Sequence, residues 1–181
     1  DHAQAWKRLK KRKILDRELL SFSPEDQLVV LCAHATKHQW DSLSRIRDIA
    51  LVPGVFSNLD WDLVLGLAEK SSCPRMLLVG LSLAQRVFEI PLPEKIRDAI
   101  RQDPLIRRLV REALKHLFHL MAKKRTALGS LKMHMRMRSG WKNKLQCGVL
   151  GFFTPSFNDY SWINLPPKLF PFYYFIRPIR L

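Results

Sequence analysis

Cysteine is scarce in this chain: three residues in 181, Cys32, Cys73 and Cys147, with no CxxC spacing. So odd and sparse a set excludes a disulfide framework and a cysteine-built zinc finger, and is that of reduced thiols in a cytoplasmic protein. Seven glycines and eleven scattered prolines exclude a collagen-like or low-complexity chain. No long apolar run is present. The longest, at 76–88, is interrupted by Gly80, Ser82, Gln85 and Arg86, and falls short of the roughly 20 residues of a spanning helix. The basic N-terminus is followed by no apolar signal core. Asp1 rather than Met begins the chain, so further sequence is expected upstream. Acids are also in short supply, 16 against 31 Lys and Arg, for a net charge of +15. That excess points to a polyanionic partner: nucleic acid, nucleotide phosphates or an anionic membrane surface.

What is present is a helical pattern with enough apolar residues, 47%, to bury a core. The chain reads as a mainly α multi-helix bundle. Residues 2–12 form a short basic helix or its end, and 13–22 a hairpin or a loop. Ser23, Pro24, Glu25 and Asp26 open a helix as N-cap, first-turn proline and dipole-facing acids, running to about Gln39. A second helix spans 42–52 and stops at Pro53 and Gly54. Asp60 caps a third over 61–71, and a fourth, apolar on most sides, covers 74–88. A fifth runs from Glu94 to Gln102. A sixth starts at Asp103 and Pro104 and continues to about Ala122, with Leu105, Leu109 and Leu117 directed inward. From residue 123 the composition changes to eleven basic residues against one acid, Asp159. Residues 1–122 therefore read as a helical domain and 123–181 as a basic, aromatic extension packed on it. The extension contains helices at 131–138 and 141–153, a short helix after Pro155, and an aromatic segment at 169–176.

The densest chemistry lies in HATKHQW at 34–40. With Leu28, Leu31, Cys32 and Ala35 as the buried stripe, His34 and His38 fall on one edge of the helix, half-buried and aimed the same way, with Lys37 beside them. The next helix brings Arg45 and Asp48 near. Asp48 is placed to orient an imidazole, and Lys37 and Arg45 to meet phosphate oxygens. Three readings stay open. His-x3-His has metal-ligand spacing, but Ala35 stands where a zincin carries Glu and no third ligand is evident. The histidines could instead bridge helices, with Trp40 as a core anchor and Asp48 as partner. In the third reading they face the phosphates of a nucleotide cleft.

Other features carry less. Asp60 and Asp62 have the spacing of a metal-binding carboxylate pair, yet at a helix start they read better as an N-cap and a dipole-favoured acid. No glycine-rich phosphate loop and no nucleophile elbow is present. Met133, Met135 and Met137 alternate with His134, Arg136 and Arg138, a pattern of packing plus a solvated basic face. The aromatic tail reads as a closing segment, and peripheral membrane contact is not expected of it.

Together, several segments resemble the C-terminal part of the uncharacterised bacterial nucleotidyltransferase family: SPEDQL at 23–28, HATKHQW at 34–40, LSRIRDIA at 43–50, LDWD at 59–62, LSLA at 81–84, PLPE at 91–94, FTP at 153–155, LPPKLF at 165–170, and the ending through Tyr173 and Tyr174 to Leu181. The order holds from end to end. The resemblance implies a transferase whose N-terminal mixed sheet carries a Gly-Ser turn and an Asp-x-Asp pair. These would hold Mg2+ against a nucleoside triphosphate. Neither element occurs here, and Asp60 and Asp62 do not take that role. The chain is thus expected to be the helical portion, inactive and without bound metal by itself. Its His34, Lys37, His38, Arg45 and Asp48 would line the cleft shared by the nucleotide and an unknown acceptor. The rival expectation is a non-enzymatic basic module that binds nucleic acid through Lys123, Lys124, Arg125, Lys132, Arg136, Arg138, Lys142 and Lys144.

Overall fold

The structure, a computed structural model, describes residues 6–118, 127–138, 140–155 and 157–180. It divides into two compact units, Asp1–Ala122 and Lys123–Leu181. The fold is mainly α, with one antiparallel hairpin at its N-terminal end.

The hairpin replaces most of the expected first helix. Trp6 and Lys7 are helical, but β1 (Lys10–Ile14) then pairs with β2 (Arg17–Ser21) in the register Lys10 opposite Ser21 and Ile14 opposite Arg17. On a helix, the lysines and arginines at 7–13 would stack like charges one turn apart. In the hairpin they alternate, and Lys11 meets Glu18 at 3.2 Å. Two guanidinium groups tie the N-terminal segment to the helices behind it. Arg8 grips Asp26 through both carboxylate oxygens, at 2.8 and 2.7 Å. Arg12 stacks 4.7 Å from the centre of the Phe56 ring.

α1 (Pro24–Lys37) begins as its sequence requires: the Ser23 hydroxyl accepts the Asp26 N–H at 3.1 Å and donates to the Asp26 carboxylate at 3.0 Å. Its end is built without glycine. His38 closes the helix, Gln39 and Trp40 adopt left-handed φ of 57° and 58°, and their N–H groups return to Thr36 and Ala35 carbonyls at 2.9 and 3.0 Å. This is a Schellman closure, with Gln39 where glycine is usual. α2 (Leu43–Val55) follows from Ser42, whose hydroxyl accepts the Ser44 N–H. It continues through Pro53, where the sequence predicted a stop. The proline lies in the last turn, so it costs little more than one hydrogen bond at an end that would fray. α3 (Trp61–Lys70) is capped by Asp60, which accepts the Leu63 N–H at 2.9 Å. It ends in the same closure as α1: Ser72 has φ 55°, and Ser72 and Cys73 donate to Glu69 and Ala68 carbonyls.

α4 (Pro74–Phe88) is the axis of this unit. Residues 76–84 are all buried, and α1, α2, α3, α5 (Glu94–Gln102) and α6 (Pro104–Phe118) all pack against it. Gly80 is the tightest point. A Cβ there would sit 2.6 Å from the Cys32 Sγ and 3.1 Å from the Trp40 ring. Cys32 and Cys73 are both buried free thiols, and burial, helped by Cys73 nearby, pushes the Cys32 thiol well above its ordinary range. In α6, Ile106, Leu109, Val110, Ala113 and Leu117 face the core. Leu105, expected inward, is only half-buried because the stripe falls one position later.

In the second unit, α7 (Ala127–Met137) packs on α8 (Trp141–Phe153), and α10 (Tyr173–Arg180) packs on α8, on α9 (Phe157–Trp162) and on a 3-10 turn (Pro167–Phe172). Met133 and Met137, one turn apart, are buried. Met135 lies against Gly148 and Leu131 against Gly151. The Tyr173 hydroxyl donates to the Ile163 carbonyl at 2.6 Å and accepts the Leu165 N–H at 2.9 Å.

Two outcomes follow. Gly80→Ala forces a methyl against the Cys32 sulfur and should cost about 1–3 kcal/mol, measured by urea unfolding. Asp26 is held below the usual carboxylate range, first by its hydrogen bond to Arg8 and then by Ser23. Its contribution is therefore present above the unfolded carboxylate pKa and lost as pH falls through the lower folded value. Asp26→Asn should lower stability by about 1–2 kcal/mol at neutral pH. The same change should shrink the difference in melting temperature between neutral pH and about pH 3.

Candidate functional site

The α1–α2 seam brings together most of the residues singled out from the sequence. His34 and His38 stack one turn apart, ring centres 4.6 Å apart and planes tilted by 53°. His34 is exposed rather than half-buried, His38 is partly buried, and Lys37 is exposed at the last turn of α1. Across the seam, the Arg45 guanidinium pairs with Asp41 one turn earlier in α2's approach. The surroundings of His38 are dominated by positive groups. Partial burial depresses its pKa first, then Arg45, His34 and Lys37, with only Asp41 opposing them. A neutral imidazole beside two cations is suited to receive an anion, whose arrival would let it take a proton.

Asp48 does not join this cluster. Its carboxylate lies 3.3 Å from the neighbouring Arg47, and no hydrogen bond connects it to His38 among the described residues. Asp48 instead lines a pocket of about 290 Å³ with Gln27, Leu31, Leu51, Val52, Val55 and Phe56. The role of orienting an imidazole falls to no carboxylate here: the acid that approaches His38 is Asp41, already engaged by Arg45.

Trp40 takes the anchoring part foreseen for it. It is fully buried, and its ring packs against the open face of Gly80. Its indole Nε1 has no hydrogen-bond partner among the described residues. Such an orphaned donor costs about 1–3 kcal/mol, so the packing of the ring outweighs it.

The sequence reading missed the continuation of the seam. A second pocket, about 460 Å³, shares Gln27 and Leu31 with the first and is walled by Trp6, Leu9, Leu20, Ser21, Phe22 and Val30. The end of β2 contributes Leu20 and Ser21 to it, and α1 contributes Gln27, Val30 and Leu31. In the sequence, the alternation of Leu20 and Phe22 around Ser21 is the one signal of this wall. The seam thus has a cationic end at His34, Lys37, His38 and Arg45 and an apolar end containing Asp48.

Metal binding finds no support in these side chains. Among the described residues, no group of three or more His, Cys, Asp or Glu could hold an ion. Asp60 is committed to its helix cap and Asp62 to Lys95. The Mg2+ implied by the resemblance therefore does not fit the donors described.

The depressed pKa of His38 gives a direct check. In Arg45→Ala the guanidinium is lost and Asp41 is freed, and both changes raise the imidazole pKa. The His38 Hε1 titration midpoint in NMR should move upward; an unmoved midpoint means that Arg45 does not act on His38.

Comparison with known proteins bears on the same segment. No curated protein and no solved structure matches the chain. Residues 1–89 match the family described as uncharacterised nucleotidyltransferase, a stretch that holds the hairpin, α1 to α4 and the whole His-Lys-His-Trp block, whereas the resembling segments from 91 onward fall outside it.

Proposed function

We propose that this chain supplies the helical wall of the nucleotide cleft in a nucleotidyltransferase-family protein, with the cationic end of the α1–α2 seam facing phosphate oxygens. The observation that carries this reading is the stacking of His34 and His38 beside Arg45 and Lys37, inside the segment that matches the family. Lys37 is exposed on a flexible stem and acts as a point charge. Arg45, held by Asp41, offers its remaining donors in a fixed direction. His38 completes the set by becoming imidazolium when an anion arrives. Asp48, in the adjoining pocket with Gln27, is the group that would meet a polar donor of the nucleotide or of the acceptor.

The transfer reaction also needs metal-binding carboxylates, which the described residues do not provide. When bound, Mg2+ would neutralise triphosphate charge. This chain's share is binding and orientation, and nucleotidyl transfer by it alone is not expected.

Titration of the chain with inorganic tripolyphosphate and with ATP tests the reading. Lys37→Ala and Arg45→Ala should each weaken binding by about tenfold, and Lys37→Ala should leave the melting temperature unchanged. Binding should strengthen as pH falls through the lowered His38 pKa, and His38→Gln should flatten that dependence. Equal losses of affinity and of thermal stability in Lys37→Ala would assign the cluster to holding α1 and α2 together instead.

A further inference from the structure

The second unit leaves a continuous apolar stripe uncovered on α8. Trp141, Leu145 and Val149 recur every four residues and are 70%, 58% and 48% exposed. At about 100° per residue they occupy one face about 80° wide. The adjoining flank of the same helix is the packed one, where Gly148 and Gly151 receive Met135 and Leu131 of α7. α10, which packs on α8, leaves Phe175 and Ile179, one turn apart, 72% and 82% exposed. Soluble monomers seldom leave so many large apolar side chains together in water.

Charge identifies what covers them. Residues 123–181 carry eleven basic side chains and one acid, a net +10. A second copy of the chain would bring +10 against +10 over an apolar contact. A nucleic acid would satisfy the charges and leave Leu145 and Val149 wet. An anionic lipid surface satisfies both, because apolar side chains enter the acyl boundary while Lys and Arg stay at the headgroups. The stripe begins with the arrangement such a surface favours: the Lys142 ammonium lies 5.8 Å from the Trp141 ring centre, an aromatic and a cation at one depth. α8 is about 20 Å long, and no described helix is long and apolar enough to cross a membrane.

We propose that α8, with α10 beside it, docks this protein on an anionic membrane surface, with Trp141, Leu145 and Val149 entering the lipid. Tyr173 ties the tail to the Ile163 carbonyl, and Phe175 and Ile179 remain exposed.

The test is co-sedimentation of the full chain with vesicles of phosphatidylcholine, alone or with about 30% phosphatidylserine. A gain of about tenfold or more in bound fraction is expected on the anionic vesicles. Brominated acyl chains should quench tryptophan emission, and quenching should diminish in Trp141→Phe. Leu145→Glu with Val149→Glu should abolish binding while far-UV circular dichroism and melting temperature stay unchanged. If that pair unfolds the chain, Phe175→Ser with Ile179→Ser provides the second variant, and should lower binding at least severalfold. Absence of binding overturns the proposal. So does anionic binding without quenching by the brominated lipid, which would make the contact one of charge alone. A dimer in sedimentation equilibrium that dissociates in the Leu145→Glu, Val149→Glu chain would give the stripe to a second copy and also overturn it.

Discussion

The seating of Trp40 against Gly80 governs the geometry of the first unit. Because α4 presents no side chain at that position, the indole and the Cys32 thiol both reach its backbone. The chain leaving α1 must then turn inward rather than continue. Two consecutive left-handed residues accomplish the turn, at a conformational cost of roughly 1–2 kcal/mol each for non-glycine side chains. Burial of a whole indole outweighs that cost. Once Trp40 is fixed, Asp41 and Ser42 follow in a set direction, and Arg45 arrives opposite the last turn of α1. The cationic end of the seam is thus a consequence of core packing two to six residues away.

This coupling gives the histidine block duties in the core and at the surface at once. The same seven residues hold the core anchor, the helix closure and both imidazoles. Trp40 is wholly inside, His34 and Lys37 are outside, and His38 stands between them. A change at Trp40 would act on the site through position, whereas a change at Lys37 acts on charge alone.

Helix starts were legible because each is written in local chemistry. Ser23, Ser42, Asp60, Pro74 and Pro104 all announce themselves by a side chain or ring that satisfies or removes a free N–H. Helix ends were less so. With seven glycines in the chain, the left-handed positions went to Gln39, Ser72 and Glu89, which carry no such mark. The hairpin was legible only as one of two options, since its strands are stabilised by pairing and by Arg8 and Arg12 reaching to Asp26 and Phe56, contacts 18 and 44 residues away. For the site, spacing along α1 placed His34 and His38 together, but which residue of α2 faces them depends on helix register across the seam. That register brings Arg45 to His38 and directs Asp48 into the apolar pocket, a distinction of one helical turn that no single-helix pattern contains.

The thiol of Cys32 lies at the centre of this arrangement, fully buried between α1 and α4, and burial keeps it protonated far above neutral pH. Alkylating reagents attack the thiolate, so in the closed molecule this sulfur is silent. Its rate of modification then becomes a native clock for separation of α1 from α4. Any ligand that binds the seam and holds those helices together would slow that clock without touching the sulfur itself.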